Sequence, residues 1–76
     1  MCLAAPSRIT RIEEASMMAE VESFGNKRKV SLLMVPEAKM GDYVLVHAGY
    51  AIQILDEADA KESLRLWEEI LCSQNN

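Results

Sequence analysis

The order of apolar and polar side chains changes period once along this chain, at about Leu55. Upstream the pattern is short and alternating, as in strands; downstream it repeats at helical spacing. The segment Ser7 to Ile12 carries Ile9 and Ile12 at opposite parity, which predicts a bulge or a twist within one strand. Between Met17 and Ser23, Met17, Ala19 and Val21 can face inward while Met18, Glu20 and Glu22 face solvent. Gly25-Asn26 then supplies the positive φ that a two-residue hairpin turn needs. Past it, Val30, Leu32 and Met34 alternate with Lys29 and Ser31 until Pro36 ends the run. After a Gly41-Asp42 turn, "YVLVHAGYAIQIL" is rich in β-branched and aromatic residues on both parities. Tyr43, Leu45 and His47 share one face, Val44, Val46 and Ala48 the other, and Gly49 marks a bend between two strands. Five short strands in so few residues predict a small closed or nearly closed barrel, because closure removes exposed edges.

The helical segment opens at Asp56, a favourable N-cap, with Asp59 three residues on in a capping-box-like position. Ala60, Leu64, Trp67 and Leu71 recur on one face and Ile70 widens the stripe, while Glu57-Lys61 and Arg65-Glu69 form i,i+4 pairs on more polar positions. An amphipathic helix over residues 56–72 therefore covers one side of the barrel or meets a partner. The expected whole is one mainly β domain over residues 1–76, with a barrel in residues 1–55 that includes an N-terminal cysteine arm.

Composition narrows the function. Seventy-six residues lie near the lower limit for a single apolar core, and 50% hydrophobic content suffices for one. The formal net charge is -4. Nucleic-acid binding needs a basic, aromatic-rich face, and the only basic cluster, Lys27-Arg28-Lys29, reads as a solvated hairpin end. No window approaches the roughly twenty apolar residues of a membrane span, and no secretory signal is visible, so a cytoplasmic protein is expected. The two cysteines, Cys2 and Cys72, then read as free thiols.

Cys2 is the strongest candidate for chemistry. If Met1 is removed, the α-ammonium beside the thiol lowers its pKa and raises the thiolate fraction, giving a nucleophile and a soft metal ligand. An incidental terminal cysteine is the competing reading. Pro6 fixes its own φ and biases Ala5 toward an extended course, so Cys2-Leu3-Ala4-Ala5 leaves the barrel as a stiff finger or simply starts a strand. His47, the only histidine, is a hydrogen-bonded structural residue or a ligand. Cys2, His47 and Cys72 lack the spacing of a zinc cage, and Cys72 reads as a small core or rim hydrophobe. A cysteine enzyme with His47 as base lacks a recognisable oxyanion device or an orienting carboxylate.

With "MCLAAP" at the start, "GDYVLVHAGYAI" in the middle and a helix opening "DEADA", the chain resembles the HypC/HupF family of nickel–iron hydrogenase maturation chaperones, from Met1 to about Leu71. The resemblance implies a small OB-like five-stranded barrel with a C-terminal helix, and a non-enzymatic scaffold and carrier. It implies no permanent cofactor, but a transient iron bearing cyanide and carbon monoxide. The implied partners are an iron–sulfur maturation protein of the HypD type and the hydrogenase large-subunit precursor, with neither nucleic acid nor membrane. Cys2 matches the family's essential cysteine, a transient iron ligand, and Cys2, Leu3, Ala4 and Pro6 make up its partner-contacting arm. His47 matches the family's histidine, which tunes or orients the iron unit or supports the loop. Ala5, Ser7 and Tyr50 depart mildly from the family pattern, and Cys72 matches no motif of it.

Overall fold

The computed structural model describes residues 5–74. Its strands run β1 (Ser7–Glu13), β2 (Met18–Ser23), β3 (Asn26–Ser31), β4 (Tyr43–His47) and β5 (Tyr50–Leu55), followed by helix α1 (Glu57–Gln74). The strands close into a barrel in the order β1-β2-β3-β5-β4. Neighbours are antiparallel except β3 and β5, whose parallel Ser31↔Tyr50 bridge completes the closure. A mainly β barrel with one C-terminal helix is thus what the alternation predicted.

The core follows from that alternation. Ile9, Ala19, Val21, Val30, Leu32, Val44, Val46 and Ala51 fill the barrel. Val35 and Ala38 plug it from the β3–β4 connection, where successive turns place Leu32, Val35 and Ala38 three residues apart. The opposite parity of Ile9 and Ile12 is reconciled by a bulge: the β1–β2 register shifts between Ile9 and Arg11, so Ile9 is buried and Ile12 packs at the core's margin.

Four local expectations need correction. The first hairpin turns on Phe24-Gly25, not Gly25-Asn26: Ser23 pairs with Asn26, and φ is positive at Phe24 (52°) and Gly25 (82°), the signature of a type I′ turn. Met17 is not a strand residue. A 3-10 turn over Glu14–Ser16 ends on it with φ 55°, although its side chain still packs on the core. β3 stops at Ser31, and Met34 is 65% exposed because the chain turns after Leu32. Asp56 stands at the helix start, its carbonyl accepting from the Ala60 N–H at 2.9 Å. Among the described residues, however, no carboxylate of Asp56 or Asp59 bonds the first turn, and Glu57 and Asp59 act there through the helix dipole.

Phe24 gives a first prediction. A β-carbon costs about 1 kcal/mol or more in the left-handed region, and Asn tolerates it better. Phe24→Asn is therefore expected to raise unfolding stability by about 1 kcal/mol in urea titration. A fall would mean that the contacts of its ring outweigh the strain.

The helix is only partly seated. Ala60 is fully buried and Leu64 and Trp67 are half-buried, but Leu66, Ile70 and Leu71 are 49%, 48% and 39% exposed. Eighteen residues make a rod of about 27 Å, so α1 extends the molecule to 44 Å against widths of 23 and 21 Å. Both foreseen ion pairs form, Lys61–Glu57 at 3.9 Å and Arg65–Glu69 at 3.3 Å. Arg65 also donates to Glu62 at 2.8 Å, and that hydrogen bond, aided by the cation's charge, holds the Glu62 carboxyl below the usual carboxylate range. All these groups are solvent-exposed, so the pairs add little stability.

Candidate functional site

The two motifs that carry the sequence resemblance lie far apart in the chain, and the barrel pairs the strand that follows the first with the strand that holds the second. β1 runs antiparallel to β4 with Ser7 opposite Val44 and Arg8 opposite Tyr43. The start of β1 is held firmly. Pro6 and Ser7 are buried, and the Ser23 hydroxyl, at the end of β2, donates to the Pro6 carbonyl at 3.2 Å. Pro6 needs that help because its ring nitrogen offers no N–H to a ladder. Further along β1, Ile9 exchanges bonds with the Gly41-Asp42 turn: its N–H donates to the Asp42 carbonyl, and its carbonyl accepts from the Gly41 N–H, each at 2.9 Å. The turn is fixed in its own right, since the Lys39 N–H donates to the Asp42 carboxylate at 2.9 Å.

His47 ends β4. Val44 and Val46 point into the barrel, so His47, on the other parity, points out and is exposed. It pairs with Tyr50 across a two-residue turn whose central residues, Ala48 and Gly49, have φ of 53° and 84°. The turn is anchored by the Ser31 N–H, which donates to the Gly49 carbonyl at 2.9 Å. A register shift between Leu45 and Val46 adds one residue to β5 just before this tip, the kind of bulge that re-aims side chains. The imidazole has no hydrogen-bond partner among the described residues, so nothing there supports the structural-histidine reading.

Cys2, Leu3 and Ala4 lie outside the described residues, as does the side chain of Cys72. Of the four residues expected in the arm, Pro6 alone is seen, and it is the arm's buried anchor rather than an exposed contact. The start of β1 pairs antiparallel with the start of β4, the strand that ends at His47. Among the described residues, no group of three or more His, Cys, Asp and Glu stands close enough to hold a metal ion. Ser23, the anchor of the Pro6 carbonyl, was not foreseen. A serine before a turn is too common for the sequence to single it out.

The described residues thus form a small barrel in which the strand ending at the exposed His47 pairs with the strand that opens after Pro6. The sequence profile of the HupF/HypC family matches residues 1–67. The chain is 46% identical over 74 residues to the hydrogenase maturation factor HypC of Helicobacter hepaticus, covering 96% of this chain and 85% of that protein. It is 40% identical over 70 residues to HypC of Cupriavidus necator, covering 92% and 77%. Identity is 36% over 69 residues to the hydrogenase maturation factor HybG of Escherichia coli K12, covering 84% of each. The chain belongs to the HupF/HypC family of maturation chaperones, a non-enzymatic class.

Proposed function

We propose that this protein is a cytoplasmic hydrogenase-maturation chaperone that helps assemble an iron unit bearing cyanide and carbon monoxide and delivers it to the large-subunit precursor of a nickel–iron hydrogenase. The Cys2 thiolate is its transient iron ligand and the tip of its partner contact. The observation that supports the reading is the pairing of β1 with β4, because it sets the strand that follows the arm in sequence beside the strand that ends at His47. No helix among the described residues is long and apolar enough to cross a membrane.

The chemistry follows from needing both grip and release. Four protein ligands make a closed, structural site, whereas fewer leave coordination positions for exchange. A lone thiolate is a soft donor, suited to low-spin iron(II) with π-acceptor ligands, and a partner's ligand can replace it. Leu3 and Ala4 supply apolar contact with the partner, and the buried Pro6 fixes where the arm begins. His47, free on the surface, orients or tunes the cargo from the side. The partners in this cycle are an iron–sulfur maturation protein of the HypD type and the precursor itself.

In a host lacking its own chaperone of this family, the intact chain is expected to restore hydrogenase activity and to co-purify with each partner in turn. Association with neither would remove the reading. His47→Ala is expected to lower the restored activity only partly and to leave the melting temperature unchanged, since the side chain is exposed and makes no bond within the fold. Activity equal to wild type would deny His47 any part in handling the cargo.

A further inference from the structure

Helix α1 turns the wrong face outward for a helix whose only task is to cover the barrel. Lys61, Leu64 and Glu68, at i, i+3 and i+7, line an open groove of about 400 Å³ against Arg8, Phe24 and Tyr43 of the barrel. That edge is mixed and charged. The apolar surface instead falls on Leu66 and Ile70, one turn apart, and continues through Trp67 to Leu71. Half of each of the first two side chains is in water, a poor use of residues that could have been polar. Leu66 carried the signal in the sequence. It sits off the stripe made by Ala60, Leu64, Trp67 and Leu71 and is half exposed.

Charge identifies what can cover this face. α1 holds five acidic residues against two basic ones; Glu62 and Glu69 lie about one turn to either side of Leu66 and Asp59 two turns before it, and Arg65, paired with both glutamates, leaves this flank net negative. A second copy of the chain, laid face to face, would bring two acidic rims together, and like charges across an interface cost affinity. We propose that the outer face of α1, centred on Leu66, Trp67, Ile70 and Leu71, is a docking surface for a partner protein that offers an apolar cleft edged by lysines and arginines. The mode is a helix laid in a groove, read by i, i+1, i+4 and i+5 anchors. This inference rests on the chaperone reading, because it assigns the face to one of the two partners of that cycle. It gives the chaperone a hold on that partner that does not involve its sulfur.

The test uses the purified full chain with its single Trp67 replaced by 5-fluorotryptophan, titrated with the HypD-type protein and, separately, with the large-subunit precursor. The expected result is a ¹⁹F shift of Trp67 with one of the two. Binding to that partner should weaken at least tenfold in Leu66→Ser/Ile70→Ser and less in Glu62→Gln/Glu69→Gln. Wild-type binding that the serine pair leaves unchanged overturns the inference and spares the chaperone reading. Binding of neither partner by the wild type sinks both. A dimer in sedimentation that the serine pair dissolves also overturns it, in favour of a second copy.

Discussion

Replacing Cys2 with alanine is expected to abolish hydrogenase maturation while leaving the barrel's stability unchanged. The two halves of this result come from separate parts of the molecule. The fold is secured from Pro6 onward, by the Ser23–Pro6 hydrogen bond, by the pairing of Ser7 with Val44 and by the bonds of Ile9 to the Gly41-Asp42 turn. None of these involves position 2. The function, by contrast, needs a thiolate that no hydroxyl or methyl group can replace, because only sulfur offers iron(II) a soft anionic donor at neutral pH. Cys2→Ser should therefore fail nearly as completely as Cys2→Ala, although it keeps size and polarity. Hydrogenase activity in the complemented host and urea unfolding of the purified variants check the two halves. A stability loss as large as that of a core substitution would mean that the sulfur is packed inside the fold and is no carrier.

Ile9→Ala is expected to do the reverse, and to do it severely. Ile9 is fully buried at the centre of the β1–β2–β4 junction, and truncating such a side chain costs about 2–5 kcal/mol. Native domains have only about 5–15 kcal/mol in total, and small ones lie toward the low end. The variant should lose roughly half its stability, with a fall in the urea midpoint at unchanged slope and a melting temperature lower by more than about 10 °C. Ile70→Ala is the control. At 48% exposure, it should change stability by no more than about 0.5 kcal/mol. A loss below about 1 kcal/mol for Ile9→Ala would contradict the core as described.

The contrast between these two isoleucines shows what the sequence could and could not say. Alternation picks out Ala19 and Val21 as inward-facing and sorts Val30 with Leu32 and Val44 with Val46 onto single faces, because the strand period is two, and all six are buried. The same period hides the first hairpin's register. A turn at Gly25-Asn26 and one at Phe24-Gly25 differ by two residues in pairing, so both leave the same side chains facing inward. Charge favours the observed register, which sets Glu20 opposite Lys29 and Glu22 opposite Lys27, where the other would leave only Glu22 opposite Lys29. Ile70 widens the apolar stripe in the sequence yet is half exposed, because helical spacing shows which residues share a face, not which face meets the barrel.

The candidate site was legible in a different way. Local chemistry singled out Cys2 and His47, and the resemblance to a family gave them a shared role. That the strand following Cys2 pairs with the strand ending at His47 is a contact between distant parts of the chain that periodicity does not encode. The anchoring of Pro6 by Ser23 is equally non-local.

The central claim is that Cys2 lends its sulfur to an iron cargo. Its most direct test is infrared spectroscopy of the chain isolated together with its HypD-type partner. Bands of iron-bound cyanide and carbon monoxide are expected in the wild-type complex and should be absent when Cys2 is alanine, with the complex itself still formed. The same bands at full intensity in the Cys2→Ala complex would place the iron wholly on the partner and contradict the account.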